Sequence, residues 1–200
     1  TLNGLASVHQ RLDHYDAAHA AWTRCMELLA NADQPLAVAT VRYNLAAVHE
    51  VRCELAQARA QTEACMREFD RLGHRHGVAH CMLLLGILSV HQGDVTGSRH
   101  WFVESIAVFE AMDDGALSAV SRMRLGYALF LDGVTAEGEA LLRLAHETFV
   151  RMGREDVRFG QCLHHLAAVA LGANDFDRAR ALLEQCRALG VSVQDDWVRA

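Results

Sequence analysis

Apolar residues recur along this chain at helical spacing, and the pattern itself recurs. Mid-chain, Leu84, Leu85, Leu88 and Val90 form one such run, which Gln92-Gly93-Asp94 interrupts. A second run follows at Trp101, Phe102, Ile106, Val108 and Phe109. The pattern predicts two amphipathic helices joined by a tight turn. Equivalent interruptions at Leu12-Asp13-His14, Arg52-Cys53-Glu54, Asp132-Gly133-Val134 and Ala173-Asn174-Asp175 predict four more such pairs. The second helix of each pair is expected to stop near Asp33, Gly73, Asp113, Gly153 and Gly190, because Gly, and less readily Asp, tolerates the left-handed backbone that ends a helix. Helices are therefore expected over 2–12, 15–31, 36–52, 55–72, 76–92, 95–112, 116–132, 135–152, 156–172 and 175–189.

Three series of small residues lock these pairs into one register. Ala6, Ala46, Gly86, Gly126 and Ala167 recur every forty residues, with one extra at the last step. Ala18, Ala58, Ser98, Gly138 and Ala179 follow twelve residues behind, and Cys25, Cys65, Ser105, Ala145 and Cys186 seven further on. Small side chains at fixed phase let neighbouring helix axes approach. Larger residues at Trp22, Phe102, Leu142 and Leu183 fill the space between, and Thr62 at the same phase marks an expected weaker junction. The expected fold is all-α: a solenoid of five helix pairs rather than a single-core globule. The repeats fall at about 1–34, 35–74, 75–114, 115–154 and 155–192 of one repeat domain, and 193–200 reads as the start of a further helix. Thr1 falls inside a repeat as well, so a fragment of a longer protein is expected.

Composition narrows the classes of function. Apolar residues are 52% and charged ones 22%, enough to bury a continuous core, and there is one proline, Pro35. The net charge of −6 speaks against a nucleic-acid surface, which needs clustered Lys and Arg. No apolar stretch reaches the roughly 20 residues that span a bilayer, and no signal peptide is visible. The cysteines at repeat-equivalent positions are far apart and suit small-residue packing better than disulfides, which fits a reduced, cytoplasmic setting. Cys53, in a turn, is the best candidate for an exposed thiol.

The layout resembles the tetratricopeptide repeat family. The resemblance rests on Leu5-Ala6, Leu45-Ala46, Leu85-Gly86, Leu125-Gly126 and Leu166-Ala167 in the first helices. It extends to Asp13-His14-Tyr15-Asp16-Ala17-Ala18 and Asn174-Asp175-Phe176-Asp177-Arg178-Ala179 at the turns, and to Trp22 and Leu183 at the large position. It covers nearly the whole chain, although the period is forty rather than thirty-four and the usual proline between repeats is missing. The longer period, with endings such as Phe69-Asp70-Arg71-Leu72-Gly73 and Phe149-Val150-Arg151-Met152-Gly153, is similar to repeats of large bacterial regulators of the LuxR/MalT type and antibiotic-regulatory proteins. The resemblance implies a right-handed superhelix of antiparallel helix pairs.

It also implies where a ligand sits, since the family lines a concave groove with the first helix of each pair. Carried over, that lining is Asn3, Ser7, Gln10, Thr40, Tyr43, Ala47, Glu50, His80, Leu83, Ile87 and His91 in the first three repeats. Val120, Met123, Tyr127, Phe130, His164, Ala168 and Leu171 follow in the last two. The first set is mostly polar and the second apolar and aromatic. Exposed Met123, Tyr127 and Phe130 favour an amphipathic helix or apolar peptide as partner. A second reading stays open, in which Tyr127 and Phe130 only pack between neighbouring helices. The family's clamp for a carboxylate needs Lys, Arg and Asn that are mostly absent at these positions, although Arg42, Arg122 and Arg124 lie nearby.

Catalytic and metal chemistry find little support. His76 and His80, four apart, would share a helix face as two zinc ligands do, and His74 and Cys81 lie close, but no second set completes a site. Cys162 with His165 is a weaker pair. No nucleophile elbow, phosphate-cradling loop or zinc-protease motif occurs. No catalytic residue, metal or cofactor is expected. The expected function is a non-catalytic protein- or peptide-binding scaffold in a bacterial multidomain regulator. The alternative is the sensory or dimerisation region of a signalling enzyme, such as a nucleotide cyclase, whose catalytic domain lies elsewhere. A homodimer through the repeat ends is a further expectation.

Overall fold

A computed structural model describes residues 2–12, 14–30 and 32–193. The turn residue Asp13 and the expected further helix, from 194 onward, lie outside the described residues. The described residues form ten α-helices: α1 (Leu2–Arg11), α2 (Tyr15–Leu29), α3 (Pro35–Val51), α4 (Leu55–Arg71), α5 (Arg75–His91), α6 (Val95–Ala111), α7 (Gly115–Leu131), α8 (Thr135–Arg151), α9 (Val157–Gly172) and α10 (Phe176–Val193). They fall into two compact units that divide between Asp94 and Val95.

Helix ends follow from local stereochemistry. Cys53, Gly73, Gly93, Asp113, Gly133, Gly153 and Asn174 all take positive φ, one left-handed residue about every twenty positions. Each lets the chain fold back on the helix just ended: Glu54 N–H reaches His49 O at 2.8 Å and Asp94 N–H reaches Ser89 O at 2.9 Å. Asp114 and Asp156 then cap the next helices, Asp114 accepting from Leu117 N–H at 3.0 Å and Asp156 from Arg158 N–H at 3.0 Å. Pro35 starts α3 at a position where its missing N–H costs nothing. The expected stop at Gly190 is not used, because α10 runs on to Val193.

In the first unit α1–α2 and α3–α4 are helical hairpins, α2 packs on α3, and α5 packs on α4. The small-residue series is buried there as expected, with Ala6, Ala18, Cys25, Ala46, Ala58, Cys65 and Gly86 all inside. Trp22 is enclosed by Ala6, Ala18, Cys25, Val41, Leu45 and Val48, so one side chain joins three helices. Thr62 is buried with its hydroxyl donating to Ala58 O at 2.7 Å, which satisfies the polar atom within its own helix.

In the second unit α7–α8 and α9–α10 are the hairpins, and α6 and α9 pack against the first of them. Ser98, Ser105, Gly126, Gly138, Ala145, Ala167, Ala179 and Cys186 are all buried. The closest approach is between glycines: a Cβ on Gly138 would stand 2.5 Å from Gly126 O. Arg143 and Arg178 both reach Glu139 Oε1 at 2.6 Å, tying α8 to α10, and this pairing holds the Glu139 carboxyl below its ordinary range.

Candidate functional site

On the first-helix faces of the first unit, polar groups are largely engaged with one another. Asn3 Oδ1 accepts from Trp22 Nε1–H at 3.0 Å, and the Ser7 hydroxyl donates to Asn3 O. The Thr40 hydroxyl donates to Leu36 O at 2.8 Å. Tyr43 meets the edge of His80, with centroids 5.8 Å apart, and Glu50 Oε1 lies 2.9 Å from His91 Nε2, linking α3 to α5. Gln10, Ala47 and Ile87 are half-buried. Leu83 is buried rather than lining, because α5 packs on both α4 and α3.

A cleft of about 780 Å³ lies in this unit, walled by Leu2, Leu28, Leu29, Pro35 and Leu36. The forty-residue period says nothing of this cleft, although Asn3 and Thr40 stand on its walls.

In the second unit the expected lining divides. Met123 is fully buried, which corrects the expectation that it is exposed, and Val120, expected in the groove lining, is nearly so. α7 is packed by α6 on one side and α8 on the other, leaving little of its circumference open. Tyr127 and Phe130, one turn further along, stay half-exposed. Tyr127 stacks on His165 of α9 with centroids 3.9 Å apart and an interplanar angle of 14°, and its ring is 6.2 Å from Phe130. Phe130 in turn lies over Gly172, whose missing side chain leaves room for the ring. Ala168 is half-buried and His164 exposed. Leu171 lines a shallow groove of about 400 Å³ with Phe176, Ala179 and Leu183.

His165, named in the sequence only as a weak partner of Cys162, is the residue of this lining that pattern reasoning missed. It is buried, and neither ring nitrogen has a hydrogen-bond partner among the described residues. Burial, with help from the Arg124 and His164 charges, pushes its pKa down from 6.5 to about 3. The ring is therefore neutral at physiological pH. The Arg124 guanidinium also reaches Gln161 Oε1 at 3.3 Å, so α7 and α9 share a polar link beside the stack.

This yields a pH prediction. With a folded pKa near 3 and an ordinary value of 6.5, the unfolded chain takes up the proton first as pH falls. The stability is complete above that ordinary value and is lost on acidification towards the folded one, by at most about 1.4 kcal/mol per pH unit. His165→Phe keeps a ring on Tyr127 and removes the titration. In urea melts the variant should gain on wild type as pH drops, reaching an advantage of about 1–2 kcal/mol near pH 5. A difference that stays constant between neutral and acid pH would mean that His165 is hydrated.

The metal candidates resolve into packing. His74 Nδ1 accepts from Gly77 N–H at 3.0 Å as a helix cap. The rings of His76 and His80 lie with centroids 4.7 Å apart, but Cys81 beside them is buried and its thiol pushed up by burial. Cys162 is likewise buried, pushed up to about 12, and its thiol points at Leu142 O. Among the described residues no group of three His, Cys, Asp or Glu gathers as a metal would need, and none of their helices is long and apolar enough to cross a membrane. Cys53 is exposed, whereas the other cysteines are buried.

Residues 160–193 match the family model of the tetratricopeptide repeat. No curated protein matches the chain in sequence. Among solved structures, a Rap protein complexed with Competence and Sporulation Factor superposes with a TM-score of 0.91 at 10% identity, over 98% of this chain and 55% of its own. NprR in complex with its cognate peptide NprX gives 0.83 at 11%, over 96% and 55%. PlcR from Bacillus thuringiensis, in complex with the peptide PapR7 and DNA, gives 0.77 at 12%, over 96% and 69%. At such identities the likeness is one of fold. By fold the chain is a helical-repeat solenoid like these, with residues 160–193 matching the tetratricopeptide repeat, and it spans little more than half of the Rap and NprR chains.

Proposed function

We propose that this chain is a non-catalytic scaffold that binds a peptide on its first-helix faces, as the repeat region of a bacterial regulator. The observation that carries the reading is the shelf made by Tyr127, Phe130 and His165 in the second unit. It joins half-exposed aromatic surface to a buried, neutral imidazole that stacks on Tyr127. Such a surface suits an apolar or amphipathic peptide, with ring burial for affinity. The peptides in the NprR and PlcR complexes, bound to proteins of the same fold, support the reading. A prebuilt helical surface also spares the scaffold ordering entropy when the peptide docks. The cysteines, all free, suit a reducing cytoplasm.

The test is a library of displayed peptides panned on the whole chain, with the enriched sequences titrated afterwards. Enriched peptides should be rich in apolar and aromatic residues. Tyr127→Ala/Phe130→Ala should weaken their binding about tenfold or more while circular dichroism stays unchanged. Peptides that bind the folded double variant as tightly as wild type would refute the site, and a library yielding no binder would refute the function.

A further inference from the structure

Charge is spread unevenly over the helices of the second unit. α7 carries Arg122 and Arg124 and α9 carries Arg158, and neither helix contains an Asp or Glu. The second helices α8 and α10 carry both signs, and the chain as a whole stands at −6. The helices that bear the aromatic shelf are therefore a local cationic strip in an anionic protein. Of the carboxylates flanking them, Asp114 and Asp156 act as helix caps, Asp156 also pairs with Arg154, and Glu110 of α6 pairs with Arg122. Glu155 stays outside α9, in the turn before it.

Side-chain contacts set an order along the seam between α7 and α9. Arg124 reaches Gln161, one turn on Tyr127 stacks on His165, and one turn further Phe130 lies over Gly172. Arg158 stands one turn before Gln161 on α9, so both arginines belong to the same end of the seam. The seam thus runs from cationic to aromatic, with about 5 Å along α7 between Arg124 and Tyr127. The Arg124 charge already acts in this space, adding to the burial that keeps His165 neutral.

We infer that the peptide taken by the shelf is acidic, with apolar side chains on Tyr127 and Phe130 and side-chain carboxylates meeting Arg124 and Arg158. This rests on the peptide-binding reading of the shelf and names the chemical class of its ligand. A guanidinium has several N–H donors in a fixed fork, so Arg124 can serve a carboxylate while it keeps Gln161. Two arginines at one end of the seam suit Asp or Glu side chains, which can come in pairs, better than the single charge of a chain end.

Three fluorescein-labelled peptides, titrated against the whole chain by fluorescence anisotropy, test it. They share one Leu/Phe face, end in an amide, and fill their polar face with Glu, Gln or Lys. The Glu peptide should bind about fivefold tighter than the Gln peptide, and the Lys peptide weakest, although the net charge of −6 works the other way. Added salt should shrink the preference. Arg124→Gln should bring the Glu peptide down to the level of the Gln peptide, and Arg124→Lys should keep part of the difference. Arg158 is exposed, so Arg158→Gln should fold and should lower the preference as well. Equal binding of the Glu and Gln peptides by wild type would overturn the inference. So would a preference that survives both Arg124→Gln and Arg158→Gln with unchanged circular dichroism. The shelf itself would still stand if Tyr127→Ala/Phe130→Ala weakened both peptides. A preference that appears only when the peptide ends in a free carboxylate would assign the contact to a chain end and overturn it too. No binding of any of the three would sink both readings.

Discussion

Replacing Trp22 with alanine should cost the first unit about 3–5 kcal/mol, the range for truncating a large buried aromatic. The indole is fully enclosed and touches helices α1, α2 and α3 at once, so its removal opens a cavity between elements joined elsewhere mainly by small residues. The hydrogen bond to Asn3 is a minor part of the loss, because Asn3 is exposed and water can replace the indole as its partner. A domain of ordinary stability has only about 5–15 kcal/mol to lose, so the variant should lie close to unfolding at room temperature. Urea titration gives the magnitude, and hydrogen exchange should show the loss of protection in α1–α3 first. A loss below about 1 kcal/mol would mean that the three helices are held by something other than this side chain.

Gly138→Ala should also destabilise, against the direction that helix propensity alone predicts. Alanine in a helix interior is favoured over glycine by about 1 kcal/mol. A Cβ at Gly138, however, would stand 2.5 Å from Gly126 O and 3.0 Å from Phe130 N, and backbone atoms cannot turn aside as a flexible side chain can. The helices α7 and α8 must separate, which costs about 1–3 kcal/mol or more and outweighs the propensity gain. Gly126→Ala meets the same obstacle from the other side, with its Cβ 2.7 Å from Gly138 O. Gly115 has open space around the corresponding point, so Gly115→Ala is the matched control and should be neutral or mildly stabilising. Thermal melts of the three variants decide the matter. A Gly138→Ala protein as stable as wild type would show that the crossing has slack.

The shelf on α7 and α9 lies next to this crossing. Phe130 provides the backbone N that a Gly138 side chain would strike, and its ring rests over Gly172. Disturbing Gly138 should therefore also move Phe130 and weaken peptide binding, even though Gly138 itself is buried.

Most of the fold was legible in the chain because its causes are local or periodic. The left-handed residues at Cys53, Gly73, Gly93, Asp113, Gly133, Gly153 and Asn174 fall in the expected turns, since backbone stereochemistry depends on little beyond the residue and its neighbours. Buried small residues recur at one phase because every helix crossing in a repeat obeys the same geometry. The end of α10 was misread for a related reason. Glycine permits a left-handed stop but does not impose one, and at Gly190 the helix continues.

The site was only partly legible. Helical phase puts Met123 on the same face as Tyr127, yet Met123 is sealed in and Tyr127 is half-open. The Tyr127–His165 stack joins side chains thirty-eight residues apart, and nothing in either helix alone announces it. By itself the sequence determined the helices, their turns, the register of small residues and the repeat class. Those depend on backbone preference and on a spacing that can be counted. Only the tertiary structure decided which positions on one helix face are open: Tyr127 but not Met123, one turn apart on α7. Exposure is a property of what packs beside a residue, and a repeating sequence gives equivalent residues the same character whether or not a neighbour is there to cover them.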